Sequence, residues 1–232
     1  RSLKLFETPT GWKFFGNVMD SKALFGGVDY TPMMCGEESF GTGSNHIREK
    51  DGMWAVLAWL SILAHYNNGN AAFMHVEEIV TSHWAKYGRN YYCRYDYVGV
   101  SGDAAKAVMA HLQGQFATLE VQGAAGTELA PGFAVASCDS FSYTDPVDGS
   151  VSANQGMRIV FKDGSRIIFR LSGTAGSGAT IRMYLEKYVA ASAGAAVFSQ
   201  PTAEVMQVLV QLALGLSDMQ KLTGRASPSV IT

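Results

Sequence analysis

The sequence is poor in cysteine, in proline and in charge of either sign, and it has no long apolar run. Three cysteines among 232 residues, Cys35, Cys93 and Cys138, lie far apart, odd in number and without metal-ligand spacing. That argues against a disulfide framework and for a reducing compartment, which we read as cytoplasmic. The longest apolar run, Met53 to Ala64, is about a dozen residues, too short for a membrane span. Charged residues make up 16% and the net charge is −2, which argues against nucleic acid as a partner and against a polybasic membrane anchor. No signal-peptide pattern, internal repeat or heptad is visible. The chain begins at Arg1 without an initiator Met, and the expectation is a piece of a longer polypeptide.

What is there suffices for packed domains. Hydrophobic content is 47% and the length suits two domains. A shift in composition at Val98-Gly99-Val100-Ser101-Gly102 places the boundary between residues 1–97 and 98–232. Leu3 to Thr8 reads as a short strand, and Gly11 to Asp20 as a helix with Trp12, Phe15 and Met19 at helical spacing. Ser21 to Met34 reads as loop. Helices are expected over Asp51–Tyr66, Val76–Tyr87 closed by Gly88, Asp103–Thr118 capped by Ser101 or Asp103, and Pro201–Leu222. In the second half the period changes to two. Met157, Ile159 and Phe161 alternate with polar neighbours, Asp163-Gly164 signals a hairpin turn, and Ile167, Phe169 and Leu171 share a face. Ile181, Met183 and Leu185 repeat the pattern beyond a glycine-rich loop.

Three stretches carry chemistry. The first runs Arg170-Leu-Ser-Gly-Thr-Ala-Gly-Ser-Gly-Ala-Thr-Ile-Arg182. Its glycines let backbone N–H groups approach a small anion, Ser172, Thr174 and Ser177 add donors, and two arginines can fork onto phosphate oxygens. It reads as a phosphate clamp or as an ordinary strand connection. It lacks the Gly-Lys-Ser/Thr ending of a nucleotide phosphate loop, and the strands on either side leave no helix dipole to help. The second, Cys35 to Gly52, crowds Glu37, Glu38, Ser39, His46, Arg48 and Lys50 between two apolar elements. Carboxylates beside a serine suit sugar hydroxyls, and His46 and Lys50 are candidate proton carriers or phosphate partners. The third is the turn at Thr10, whose hydroxyl is placed either for a ligand or as a helix cap.

Together Glu7-Thr-Pro-Thr-Gly-Trp-Lys-Phe-Phe-Gly16, the Gly36-Glu-Glu-Ser-Phe-Gly41 and His46-Ile-Arg-Glu-Lys-Asp-Gly52 segments, and Arg170 to Arg182 resemble eukaryotic-type phosphoglucomutases of the α-D-phosphohexomutase superfamily. The ending, Gly224 to Thr232, looks like the C-terminus of that family. The resemblance implies a fold of α/β and α+β type: the later part of a three-layer α/β third domain, then an α+β fourth domain with an antiparallel sheet and flanking helices. It implies that Glu37, Ser39, Thr10 and Lys50 contact the sugar, and that Arg170, Ser172, Gly173, Thr174 and Arg182 hold the phosphate that is not being transferred. The implied reaction interconverts glucose 1-phosphate and glucose 6-phosphate through a phosphoserine and glucose 1,6-bisphosphate, with Mg2+.

The departures bear on activity. No Thr-Ala-Ser-His-like phosphoserine segment and no Asp-x-Asp-x-Asp magnesium loop occurs in the sequence. Both are expected in upstream domains of the same polypeptide, so no metal ligand is assigned here and this stretch alone is expected to be inactive. The loop reads Thr-Ala-Gly-Ser-Gly where the family more often has Thr-Gly-Ser-Ala-Gly. Residues Ala23 to Met34 look like an insertion. The alternative function is a non-catalytic relative with a secretory or adhesion role, and a mutase for mannose phosphate is a further one.

Overall fold

The computed structural model describes residues 4–69, 72–120, 127–173 and 178–232. In chain order the elements are α1 (Trp12–Met19), α2 (Ser21–Phe25), β1 (Cys35–Gly36), β2 (Thr42–Gly43), α3 (Gly52–Asn67), α4 (Val76–Tyr87), β3 (Arg89–Val100), α5 (Gly102–Glu120) and β4 (Val135–Ser140). There follow β5 (Tyr143–Thr144), β6 (Val151–Ser152), β7 (Met157–Phe161), β8 (Arg166–Gly173), β9 (Ala179–Val189), α6 (Ala195–Phe198), α7 (Thr202–Ser217), α8 (Met219–Thr223) and β10 (Val230–Ile231). The chain divides into two compact units, Arg1–Ile79 with Ser142–Gln155, and Val80–Phe141 with Gly156–Thr232.

In the first unit α1 buries Phe14, Val18 and Met19. Phe14 and Tyr143 meet edge to face at 5.5 Å between ring centroids, and Asn17 donates to Asp148 at 3.3 Å, so the β5–β6 hairpin packs on this helix. The expected strand at Leu3–Thr8 does not form over the described residues 4–8, and residues 21–25 are helical where loop was expected. Helix α3 starts where it should, because Asp51 accepts a hydrogen bond from the Trp54 amide at 3.0 Å and so satisfies one orphan N–H of the first turn. Its large apolar residues Met53, Val56, Leu57, Trp59, Leu60 and Ile62 are all exposed.

The second unit is an α+β domain on a six-stranded antiparallel sheet of order β10-β3-β9-β8-β7-β4. Strict alternation sends Ile159, Phe161, Ile167, Phe169, Ile181, Met183 and Leu185 to one face, all buried. Against them lie Ala105, Val108, Leu112, Phe116 and Leu119 of α5, spaced three or four apart, and Met206, Leu209, Val210 and Ala213 of α7. Each of the larger side chains contributes about 1.5–3 kcal/mol relative to exposure, and the sheet is held by this one face. Ser101 caps α5 by accepting from the Ala104 amide at 3.2 Å.

Two boundaries differ from expectation. The composition shift at Val98–Gly102 marks an irregularity within β3, not a linker: pairing with β9 breaks between Tyr97 and Val100, with Gly99 at φ 69°. A boundary at 97/98 therefore falls inside a strand. The long final helix is broken, since Asp218 adopts φ 46° and separates α7 from α8. A left-handed residue cannot continue a right-handed helix.

Candidate functional site

The sugar-type residues are positioned by a two-stranded ladder. Cys35 pairs with Gly43 and Gly36 with Thr42, and the turn closes as the Glu37 amide donates to the Gly41 carbonyl at 2.8 Å. Phe40, in that turn, has φ 68° and is 70% exposed, a conformation that costs a bulky residue about 1–3 kcal/mol. The turn points Glu37 and Ser39 the same way: Ser39 Oγ donates to Glu37 Oε2 at 3.3 Å. Lys50, just ahead of α3, places Nζ 2.6 Å from the same oxygen. The hydrogen bond to Glu37, and then its charge, hold the Lys50 ammonium above the usual lysine range, so at neutral pH it is a firm donor. One carboxylate thus gathers a hydroxyl and an ammonium, a set that can accept from and donate to vicinal hydroxyls.

Gly41 makes this possible. A Cβ at Gly41 would stand 2.7 Å from Lys50 Cδ, 2.8 Å from Lys50 Cε and 3.2 Å from Glu37 Oε2. Sequence reasoning passed over it as one glycine among several.

The other candidates in this unit are placed differently. His46 Nε2 lies 2.8 Å from Asp51 Oδ2, and Asp51 in turn caps α3, so the imidazole braces the start of that helix. The Trp54 amide first, and His46 second, hold the Asp51 carboxyl below the usual carboxylate range. Arg48 reaches back to Asp20, with Nε 3.0 Å from Oδ1. Thr10 is exposed and is not the cap of α1; that position is Gly11, with no side-chain cap hydrogen bond.

In the second unit the glycine-rich loop joins β8 to β9. Strand register sets Arg170 directly opposite Arg182, Leu171 opposite Ile181, Ser172 opposite Thr180 and Gly173 opposite Ala179. Thr174 and Ser177 lie outside the described residues. Arg170, Ser172, Thr180 and Arg182 share the face that looks away from the core, and both arginines are half-buried. Asp96 of β3, opposite Arg182, is buried to 6% exposure, with Oδ2 at 3.7 Å from Arg182 Nε and Oδ1 at 3.0 Å from Arg94 Nε. Further along the same face Arg158 pairs with Asp139 and Arg166 with Glu186. Asp96 and Arg94 were not singled out from sequence; the available signal was an acidic side chain inside the aromatic strand Tyr95-Asp96-Tyr97.

Two family models cover nearly all of this. Residues 89–229 match the C-terminal domain of phosphoglucomutase-1, and residues 1–87 match the alpha/beta/alpha domain III of phosphoglucomutase/phosphomannomutase. The chain belongs to the phosphoglucomutase family. Among its phosphoglucomutase relatives, the "probable phosphoglucomutase, cytoplasmic 1" of Arabidopsis thaliana is 52% identical over 236 residues, which is 100% of this chain and 39% of the relative. Phosphoglucomutase-1 of Paramecium tetraurelia is 52% identical over 230 residues, 99% of this chain and 36% of the relative. A crystal structure of the Paramecium exocytosis-sensitive phosphoprotein pp63/parafusin, a phosphoglucomutase, in its open form superposes with a TM-score of 0.82 at 52% identity, covering 99% of this chain and 36% of that one. The chain therefore spans under two fifths of these phosphoglucomutases and corresponds to their C-terminal portion.

Proposed function

We propose that this chain is the substrate-binding C-terminal part of a cytoplasmic phosphoglucomutase interconverting glucose 1-phosphate and glucose 6-phosphate. In this reading Glu37, Ser39 and Lys50, with Thr10, contact the sugar. Arg170, Ser172, Gly173, Thr174 and Arg182 hold the phosphate that stays. The observation that carries the reading is the opposition of Arg170 and Arg182 across β8 and β9, beside Ser172. Two guanidinium groups facing each other on adjacent strands can both fork onto the oxygens of one phosphate.

The chemistry asks for such parts. A phosphoryl group goes from a phosphoserine to the sugar phosphate, giving glucose 1,6-bisphosphate, which returns its other phosphate after turning round. One phosphate must be fixed while the other reacts, and the sugar must be held in both orientations. Positioning of this kind is most of what phosphoryl transfer needs from a protein. Glu37, an acceptor flanked by two donors, can serve a ring of hydroxyls either way round. Of the candidate proton carriers, Lys50 with its raised pKa suits a standing positive contact better than a base, and His46 is committed to Asp51.

Magnesium, which the family resemblance implies, finds no fit in this part: among the described residues no three His, Cys, Asp or Glu side chains converge as metal ligands. We assign its ligands, and the phosphoserine, to upstream domains, and derive no step through the metal. The test is Arg170→Ala in the full-length enzyme. KM for glucose 1-phosphate should rise about tenfold or more, the loss expected for a charged pair to substrate, while phosphoserine content by intact mass stays unchanged. Unchanged KM and kcat would remove the clamp assignment. Comparing turnover of glucose 1-phosphate and mannose 1-phosphate decides the sugar.

A further inference from the structure

One row of the second unit's sheet reads Asp96, Arg182, Arg170 on the neighbouring strands β3, β9 and β8. Two long, rotamer-rich arginines opposite each other repel, and nothing in that pair alone keeps them side by side. Asp96 stands on the far side of Arg182. It is 6% exposed, and its two oxygens form ion pairs with two arginines through their Nε atoms, Arg94 at 3.0 Å and Arg182 at 3.7 Å, neither with hydrogen-bond geometry. A carboxylate this buried is costly without a nearby cation, so its charge draws the Arg182 guanidinium toward it. Its backbone is fixed as well, since β3 pairs with β9 on one side and β10 on the other.

We propose that Asp96 is a positioning residue for the phosphate clamp: acting through Arg182, it holds that guanidinium beside Arg170 so that both meet one phosphate dianion. The inference rests on the clamp reading given above. Arg170 and Arg182 face each other in register, so each can fork onto oxygens of one phosphate. The register sets both guanidinium groups on one face of the sheet.

A bystander role for Asp96, partial neutralisation of an arginine, has the opposite sign. A fixed negative charge near the dianion would weaken binding, so its removal would tighten binding by about sixfold at a separation of roughly 8 Å in water. Steady-state kinetics of the full-length enzyme with glucose 1-phosphate separate the two, with thermal melts run in parallel. Asp96→Asn should raise KM about tenfold and change kcat less than about twofold. Asp96→Glu, which keeps the charge but moves it by one methylene, should show a smaller rise. Adding Asp96→Asn to Arg182→Ala should raise KM no further, because the effect runs through Arg182. Should Asp96→Asn fail to fold, Asp96→Glu decides: a raised KM supports the proposal, and an unchanged or lowered one overturns it. KM unchanged or lowered in Asp96→Asn, while Arg170→Ala raises it, overturns the role of Asp96 and leaves the clamp standing. Independent, multiplying effects of the Asp96 and Arg182 changes overturn it too. No effect of Arg170→Ala overturns the clamp itself, and this inference with it.

Discussion

Gly41→Ala isolates the sugar cluster from the stability of the fold. The backbone at Gly41 lies outside the left-handed region, so alanine is allowed there. The new Cβ would meet Lys50 Cδ at 2.7 Å and Cε at 2.8 Å, where ordinary carbon contacts lie near 3.5–4.0 Å. The lysine stem must therefore retreat by about 1 Å. Retreat of that size takes Nζ, now 2.6 Å from Glu37 Oε2, beyond hydrogen-bond range. The stem is flexible and its head half-exposed, so the fold loses little. Alanine should even stabilise by about 0.4–1 kcal/mol by restricting the unfolded chain. The substrate contact is another matter, because a misplacement of about 1 Å in a positioning group can cost up to a hundredfold. We expect a melting temperature unchanged or slightly raised, and KM for glucose 1-phosphate raised about tenfold in the full-length enzyme, about 1.4 kcal/mol of binding. Thermal denaturation and initial-rate kinetics on the same preparation read both. Normal KM would refute the assignment of Glu37 and Lys50 to the sugar. A melting temperature lowered by several degrees would refute the argument that the strain falls on a yielding side chain.

Two further outcomes test the structure. Gly88 has φ 84°, and a Cβ there would lie 2.5 Å from the Val189 carbonyl oxygen and 2.6 Å from the Tyr188 hydroxyl. Gly88→Ala should cost about 1–2 kcal/mol for the left-handed backbone and about 1–3 more for overpacking, read by urea denaturation; wild-type stability would refute the junction geometry. Asp51, with its carboxyl held low by Trp54 and His46, stabilises the start of α3 fully above its unfolded pKa of about 4 and loses that contribution as pH falls through the lower folded value. The protection factor of the Trp54 amide, its exchange rate divided into the intrinsic rate at each pH, should therefore fall on acidification below about pH 4, and Asp51→Asn, which can cap without titrating, should flatten that dependence.

How much of this was legible in the sequence depends on how local the determinant is. The alternation in Met157–Phe161, Arg166–Leu171 and Ile181–Leu185 gave three strands and their core face, because one side of each is buried and the period is two. Ser101 and Asp51 announced their helices by cap chemistry. The break at Asp218 had no such signal, since its neighbours Leu216 and Met219 keep the apolar pattern running. Helix α3 was legible as a helix but not as to its surroundings. Its large apolar residues point all round, which leaves no seam to read, and that pattern belongs to helices inside a larger core. None of its residues is buried in the chain described, which spans 39% of the Arabidopsis relative.

The two halves of the candidate site differ in the same way, and the difference says why the clamp is robust. Glu37, Ser39 and Lys50 lie within one short segment and could be grouped from spacing alone. Asp96, Arg182 and Arg170 come together only because β3, β9 and β8 pair in one particular register. A slip of one residue in β9 would carry Arg182 into the space now filled by Ile181 and Met183, both fully buried, and send those side chains to the polar face. An unpaired guanidinium in that core costs far more than any gain in pairing could offset. The alternation that buries Ile181, Met183, Ile167 and Phe169 is therefore the same constraint that aligns the two arginines with the buried carboxylate. Packing on one face of the sheet sets the geometry on the other, so a conservative change in the core that keeps the register should leave the arginine row aligned even where it lowers stability.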